Sequence, residues 1–270
     1  MRRMPVLLII LILGYVFLYG PILSLIVYSF NASKLVTVWS GFSTKWYAAL
    51  LQNDALLEAA GLSVKIAAVV ASLSVLLGTL AAIVLVRYKK SRGTRNLAML
   101  VTAPMVMPEV IIGLSLLLLF IAMEDLIGWP KGRGQLTIIL AHTTFAMAYV
   151  TLIVQSRLAH MDPSLEEVAE DLGARPATVF FAITLPLIAP ALLAGWLLAF
   201  TLSLDDLVVA NFVSGPGATT LPMVVYSSVR LGVSPEINAL ATLIVVFVSV
   251  AVCVSGFVLH RQEKRREAEQ

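Results

Sequence analysis

The sequence predicts an all-α polytopic membrane protein with six transmembrane helices, and three observations carry that prediction. The 270 residues are 59% hydrophobic and only 13% charged, whereas about a quarter of the residues of a soluble globular domain are charged. The missing charges leave long uncharged windows, each near the roughly 20 residues that a helix needs to cross a bilayer core. No strand-length alternation of about ten residues competes with them, so a β-barrel is not indicated. A single transmembrane domain over residues 1–270 is expected, with spans at about 6–30, 62–87, 97–123, 136–157, 187–213 and 237–259.

Residues 6–30 carry no charge over 25 positions. That exceeds the roughly 7–15 apolar residues of a signal peptide, and no small-residue cleavage site follows, so the run reads as a retained anchor. The second span is built on the uncharged run 66–86, and the third has one interior charge, Glu109, after the sequence APMVMP. Pro104 and Pro108 free backbone carbonyls there and predict a kink. Residues 136–155 are uncharged but include His142, and 187–204 are clean up to the pair Asp205-Asp206. Residues 237–259 form the last clean run and hold Cys253, the one cysteine, so neither an internal disulfide nor a cysteine metal cluster is available. Between the fifth and sixth spans, 220–228 is too short for a span and reads as a re-entrant or interfacial helix. Trp39, Trp46 and Tyr47, in the connection after the first span, read as an interfacial aromatic belt rather than a ligand cage.

Of the nineteen lysines and arginines, thirteen fall on the side that receives the N-terminus, the 87–95 connection, the 156–186 loop and the C-terminus. By the positive-inside rule both termini are cytoplasmic. The net charge of +3 thus reflects topology and argues little for nucleic acid.

The 162–186 loop interrupts this apolar chain with two short amphipathic helices. Asp162 can cap the first with Pro163 opening it, and Ser164 and Glu167 have the spacing of a capping box. Leu165, Val168, Ala169 and Leu172 make one apolar stripe, with Glu166, Glu167, Glu170 and Asp171 around it. Gly173 can take the left-handed conformation that ends a helix. Pro176 opens the second helix, and Pro186 ends or bends it before the fifth span. Helices that lie on lipid usually carry Lys and Arg. Four acids in six residues favour docking onto another protein.

The segment EVAEDLGARPATVFFAITLP resembles the cytoplasmic signature of binding-protein-dependent ABC importer permeases: Glu-Ala-Ala, three residues, Gly, nine residues, Ile, one residue, Leu-Pro. Glu167, Ala169, Gly173, Ile183, Leu185 and Pro186 match it, and Val168 replaces the middle alanine. The resemblance implies a type I ABC importer permease fold. It also implies that the loop is a coupling helix seated in a separate ATPase subunit, with Glu167, Val168, Ala169, Gly173, Ile183, Leu185 and Pro186 as coupling residues. The chain has no G-x-x-x-x-G-K-[ST] loop, H-E-x-x-H or G-x-S-x-G. It is expected not to be an enzyme and to carry no cofactor of its own, ATP and magnesium belonging to the partner.

Ionisable residues inside spans cost about 2.5–3.5 kcal/mol each near the bilayer centre and normally face a pathway. Glu109, Asp205 and Asp206 are all anionic, which suits a cationic solute. Only one of Asp205 and Asp206 is expected to face the passage, since adjacent helical residues point about 100° apart. YSFNASKLVTVWSGFSTKWY, TAPMVMPEVIIGLSLLLLF and LAFTLSLDDLVVANFVSGPGATTLP resemble the polyamine branch of these permeases, over nearly the whole chain. That implies ATP-driven import of polyamines such as putrescine and spermidine across the bacterial inner membrane. The implied partners are a sister permease in a heterodimer, two ATPase subunits and a periplasmic polyamine-binding protein. The alternatives are an importer of another small organic cation, an ion-coupled secondary transporter or cation channel, and a non-transporting membrane scaffold.

Overall fold

A computed structural model describes residues 4–35, 38–88, 91–231 and 235–250. These form helices α1 (Met4–Ser29), α2 (Lys45–Leu51), α3 (Asp54–Arg87), α4 (Arg92–Val106), α5 (Glu109–Ile127), α6 (Gln135–Ala159), α7 (Ser164–Asp171), α8 (Pro176–Val179), α9 (Leu185–Leu204), α10 (Val208–Val213) and α11 (Leu221–Leu231). A further helix, α12, covers Pro235–Val250. The last expected span ends at 259, and its residues 251–259 lie outside the described part. Among the described residues, five helical stretches are long and apolar enough to cross a membrane: 7–29, 54–87, 109–127, 135–159 and 176–204.

Two expectations are corrected. Residues 97–123 are not one helix but the end of α4 and most of α5. Met107 is extended (φ −79°, ψ 138°), the conformation that a following proline imposes on its neighbour, so Pro108 ends α4, whereas Pro104 is accommodated inside it. The fifth span likewise does not start at 187. A π-turn at Phe180–Thr184 joins α8 to α9, so a helical run extends from Pro176 to Leu204. Pro186 lies in the first turn of α9, where a missing N–H costs nothing, and does not end the helix. The chain then breaks at 205–207, so 187–213 is divided between α9 and α10.

The chain comprises two compact units, 58–224 and the combination of 1–57 with 225–270. In the 58–224 unit, α6 is central: Ile138, Ala141, Ala146, Ala148, Val150 and Val154 are all fully buried. Small residues let its neighbours approach, as helix packing in membranes requires. A Cβ on Gly78 of α3 would lie 3.0 Å from Val150 Cβ, and one on Gly195 of α9 would lie 3.2 Å from Val150 Cγ1. On α5, a Cβ at Gly113 would lie 2.7 Å from the Phe212 ring of α10.

In the other unit, the connection after α1 is tied around Asn31, which is 1% exposed. Its amide donates to Val38 O at 2.7 Å and its Oδ1 accepts from the N–H groups of Ser33 and Ser40. Trp46 Nε1 donates to Asn31 O at 2.7 Å and the Tyr47 hydroxyl pairs with Ser29 Oγ. Trp46 and Tyr47 therefore brace this loop. Trp39 alone of the three is exposed.

Candidate functional site

The 160–186 loop is built from local hydrogen bonds. Asp162 Oδ1 accepts from Ser164 N–H at 3.0 Å, which holds its carboxyl below the usual aspartate range. Pro163 is the N-cap of α7, and the expected Ser164–Glu167 capping box does not form. At the other end Gly173 N–H donates to Glu170 O at 2.8 Å and Ala174 N–H to Ala169 O at 3.0 Å. These are the two bonds of a Schellman motif, with Gly173 in the required left-handed region at φ +86°.

Helix α7 is exposed on most of its surface, with the acids Glu167, Glu170 and Asp171 in the open and Ala169 half-buried. Its stripe of Leu165, Val168 and Leu172 is exposed, Leu172 to 83%. Its one buried residue is a carboxylate, Glu166, 6% exposed. Glu166 Oε2 pairs with Arg87, the last residue of α3, and Oε1 accepts from the hydroxyl of Thr184, the last residue of the π-turn. Burial pushes the Glu166 carboxyl up, but the bonds from Arg87 and Thr184 and the Arg87 charge outweigh it and hold it low. Close by, Arg157 Nε at the end of α6 donates to Leu187 O at 3.1 Å.

Of the residues singled out from sequence in this loop, Glu167, Val168 and Gly173 are exposed, as is Pro186, while Ala169, Ile183 and Leu185 are half-buried. The spacing did not reveal Glu166, Arg87 and Thr184. Glu166 and Arg87 are 79 positions apart, and no local pattern links them.

The three acids separate clearly. Asp205 follows α9 and is exposed; Asp206 is buried, at 8% exposure. Asp206 Oδ1 accepts from Ala210 N–H at 2.8 Å, closing the first turn of α10. His142 Nε2 of α6 stands 3.1 Å from the same oxygen, although not aligned as a hydrogen bond. His142 Nδ1 pairs with Ser203 Oγ of α9 at 2.8 Å. His142 thus bridges both sides of the α9–α10 break. A histidine inside the uncharged run 136–155 is the sequence signal for it. Glu109 is exposed in the first turn of α5, where the helix dipole favours a carboxylate.

Comparisons with known proteins agree with this architecture. The family model "Binding-protein-dependent transport system inner membrane component" matches residues 74–267. The putrescine transport system permease protein PotI of Escherichia coli K12 is 60% identical over 264 residues, covering 98% of this chain and 94% of that protein. The spermidine/putrescine transport system permease protein PotC of the same strain is 43% identical over 250 residues, 93% of this chain and 92% of that protein. A solved chain of a bacterial ABC transporter involved in alginate import superposes with a TM-score of 0.71 at 17% identity, covering 95% of both chains. This chain belongs to the family of inner-membrane components of binding-protein-dependent transport systems.

Proposed function

We propose that this chain is a permease subunit of an ATP-driven importer that carries polyamines, putrescine and also spermidine, from the periplasm to the cytoplasm. The observation that carries the ATP-driven part is α7, which buries a carboxylate and leaves Leu165, Val168 and Leu172 exposed. A monomer has no reason to present such a stripe to water, and acidic Glu167, Glu170 and Asp171 beside it disfavour anionic lipid. A separate ATPase subunit, holding ATP and magnesium, is the occupant we assign to it. The polyamine part rests on the 60% and 43% identities to permeases named for putrescine and spermidine and on the shared sign of Glu109 and Asp205.

In this reading the chain has six spans and both termini in the cytoplasm. It pairs with a sister permease, binds two ATPase subunits through α7 and its counterpart, and receives substrate from a periplasmic binding protein. The loaded binding protein docks near 31–57 and 214–235. ATP-driven closure of the motor pulls α7, and the bundle turns from inward to outward facing. The polycation then crosses past Asp205 and Glu109, whose charges lower the barrier to a cation in a low-dielectric passage. Asp206, engaged with Ala210 and His142, shapes the α9–α10 break. Hydrolysis resets the bundle.

Uptake of labelled putrescine by proteoliposomes holding the assembled complex tests this. Uptake is expected to need internal ATP and loaded binding protein, with spermidine competing and betaine not. Uptake driven by an ion gradient without ATP would contradict the reading in favour of a secondary transporter. Stronger competition by betaine would reassign the substrate to another small organic cation.

A further inference from the structure

Three helical elements meet at one carboxylate. Glu166 is the only residue of α7 that is buried, and its two oxygens go to different elements: Oε2 to Arg87 at the end of α3, and Oε1 to Thr184 where the π-turn hands over to α9. Leu165 and Val168, which would normally fasten a short helix to the body, are exposed, and of the apolar residues of α7 only the small Ala169 is half-buried. The attachment of α7 to the membrane-spanning helices is therefore chiefly polar and directional.

Two further features give the junction mechanical meaning. A π-turn in a long helix is a local widening that recurs at functional sites, and here it lies between the loop and α9. A cavity of about 270 Å³ opens beside the pair, lined by Val86, Arg87, Leu158, Met161, Pro163 and Glu166. An ion pair bordered by a void can reorient without unpacking a core, whereas close-packed side chains transmit movement only by switching between discrete arrangements.

We propose that the Arg87–Glu166–Thr184 junction is the strut through which α7 moves α3 and α9, making Glu166 a positioning residue that couples ATP hydrolysis to transport. This rests on the reading of α7 as the ATPase-docking helix. It assigns Glu166 a task distinct from that of its neighbour Glu167: Glu167 faces outward with the docking surface, and Glu166 faces inward to the spans. Pull on α7 is then delivered to the second and fifth spans together, because one carboxylate holds both.

The test uses the full complex in proteoliposomes and reads three quantities: basal ATP hydrolysis, its stimulation by binding protein loaded with putrescine, and labelled putrescine uptake. Glu166→Gln and Arg87→Glu are expected to lower stimulation and uptake about tenfold, within the range of about 5–150-fold typical of coupling between sites. Basal hydrolysis and the amount of ATPase copurified should stay near wild type. Thr184→Val, which removes the hydroxyl alone, should show the same split more weakly. The exchange Arg87→Glu with Glu166→Arg should restore uptake. A Glu166→Gln complex that is stimulated and transports like wild type overturns the strut. So does one that loses its ATPase, since Glu166 would then belong to the docking surface, and so does an exchange that stays uncoupled. Val168→Asp on the exposed stripe runs in parallel: normal ATPase copurification there overturns the docking reading and leaves the Glu166 result to be judged separately.

Discussion

Gly173 gives the sharpest prediction about the loop. Its φ of +86° places it where L-residues are penalised, and a Cβ built on it meets nothing within 4 Å. Space in this chain is therefore not the constraint; backbone conformation is. A side chain in the left-handed region costs roughly 1–2 kcal/mol, and asparagine is one of the few non-glycine residues that visit it routinely. One to two kcal/mol is a factor of about 5–30 in an equilibrium, here between the Schellman-closed turn and alternatives that misplace α7. Gly173→Ala should reduce putrescine uptake by about that factor, with Gly173→Asn less affected although asparagine is larger. Uptake rates of the two variants at matched membrane expression provide the assay. If alanine were tolerated and asparagine were not, steric contact with a partner would be the reason for glycine, and the conformational argument would be refuted.

Other outcomes follow from the packing and the acids. Gly113→Val should lower the apparent Tm of the purified complex, because its Cβ would lie 2.7 Å from the Phe212 ring and 3.3 Å from Val209 Cα, overpacking that costs about 1–3 kcal/mol. Gly61→Ala, with open space around it, serves as the control and should not lower Tm. Asp205→Asn should slow uptake without changing Tm, while Asp206→Ala, which removes the oxygen that meets the Ala210 N–H and His142, should lower Tm; the reverse pattern would exchange their roles. The Glu166 carboxyl is held below its ordinary value of 4.5. The strut's contribution is therefore complete above that value and is lost as pH falls through the lower folded-state value. Limited proteolysis of the 160–186 loop should be constant from pH 8 to 5 and rise only at more acid pH, with Glu166→Gln cleaved at the high level throughout.

The apolar windows made most of the fold legible, because uncharged runs of span length have few other uses. Local rules also located the turn at Gly173 and the start of α8 at Pro176. What the sequence concealed was continuity. Pro186 reads as a breaker, yet at the start of α9 it is harmless, and nothing in FFAIT announces a π-turn. Met107-Pro108 reads as a kink inside a span but is an outright break, because Met107 is forced into extended conformation. Asp205 and Asp206 were found as a pair, and only the fold separates the exposed carboxylate from the buried one. Glu166 was hidden among four acids on one helix: pattern distinguishes apolar from polar faces, not which acid finds an arginine 79 residues away.

The most direct measurement is a cross-link from the exposed stripe of α7. Leu172→Cys, in a chain whose single native cysteine is replaced by Cys253→Ser, would carry a short photoreactive group on intact membranes expressing the whole complex. The account predicts an adduct between residue 172 and the ATPase subunit whose yield changes when ATP is added, identified by mass spectrometry. An adduct with lipid alone would contradict it, since α7 would then be a surface anchor and not the handle of a soluble motor.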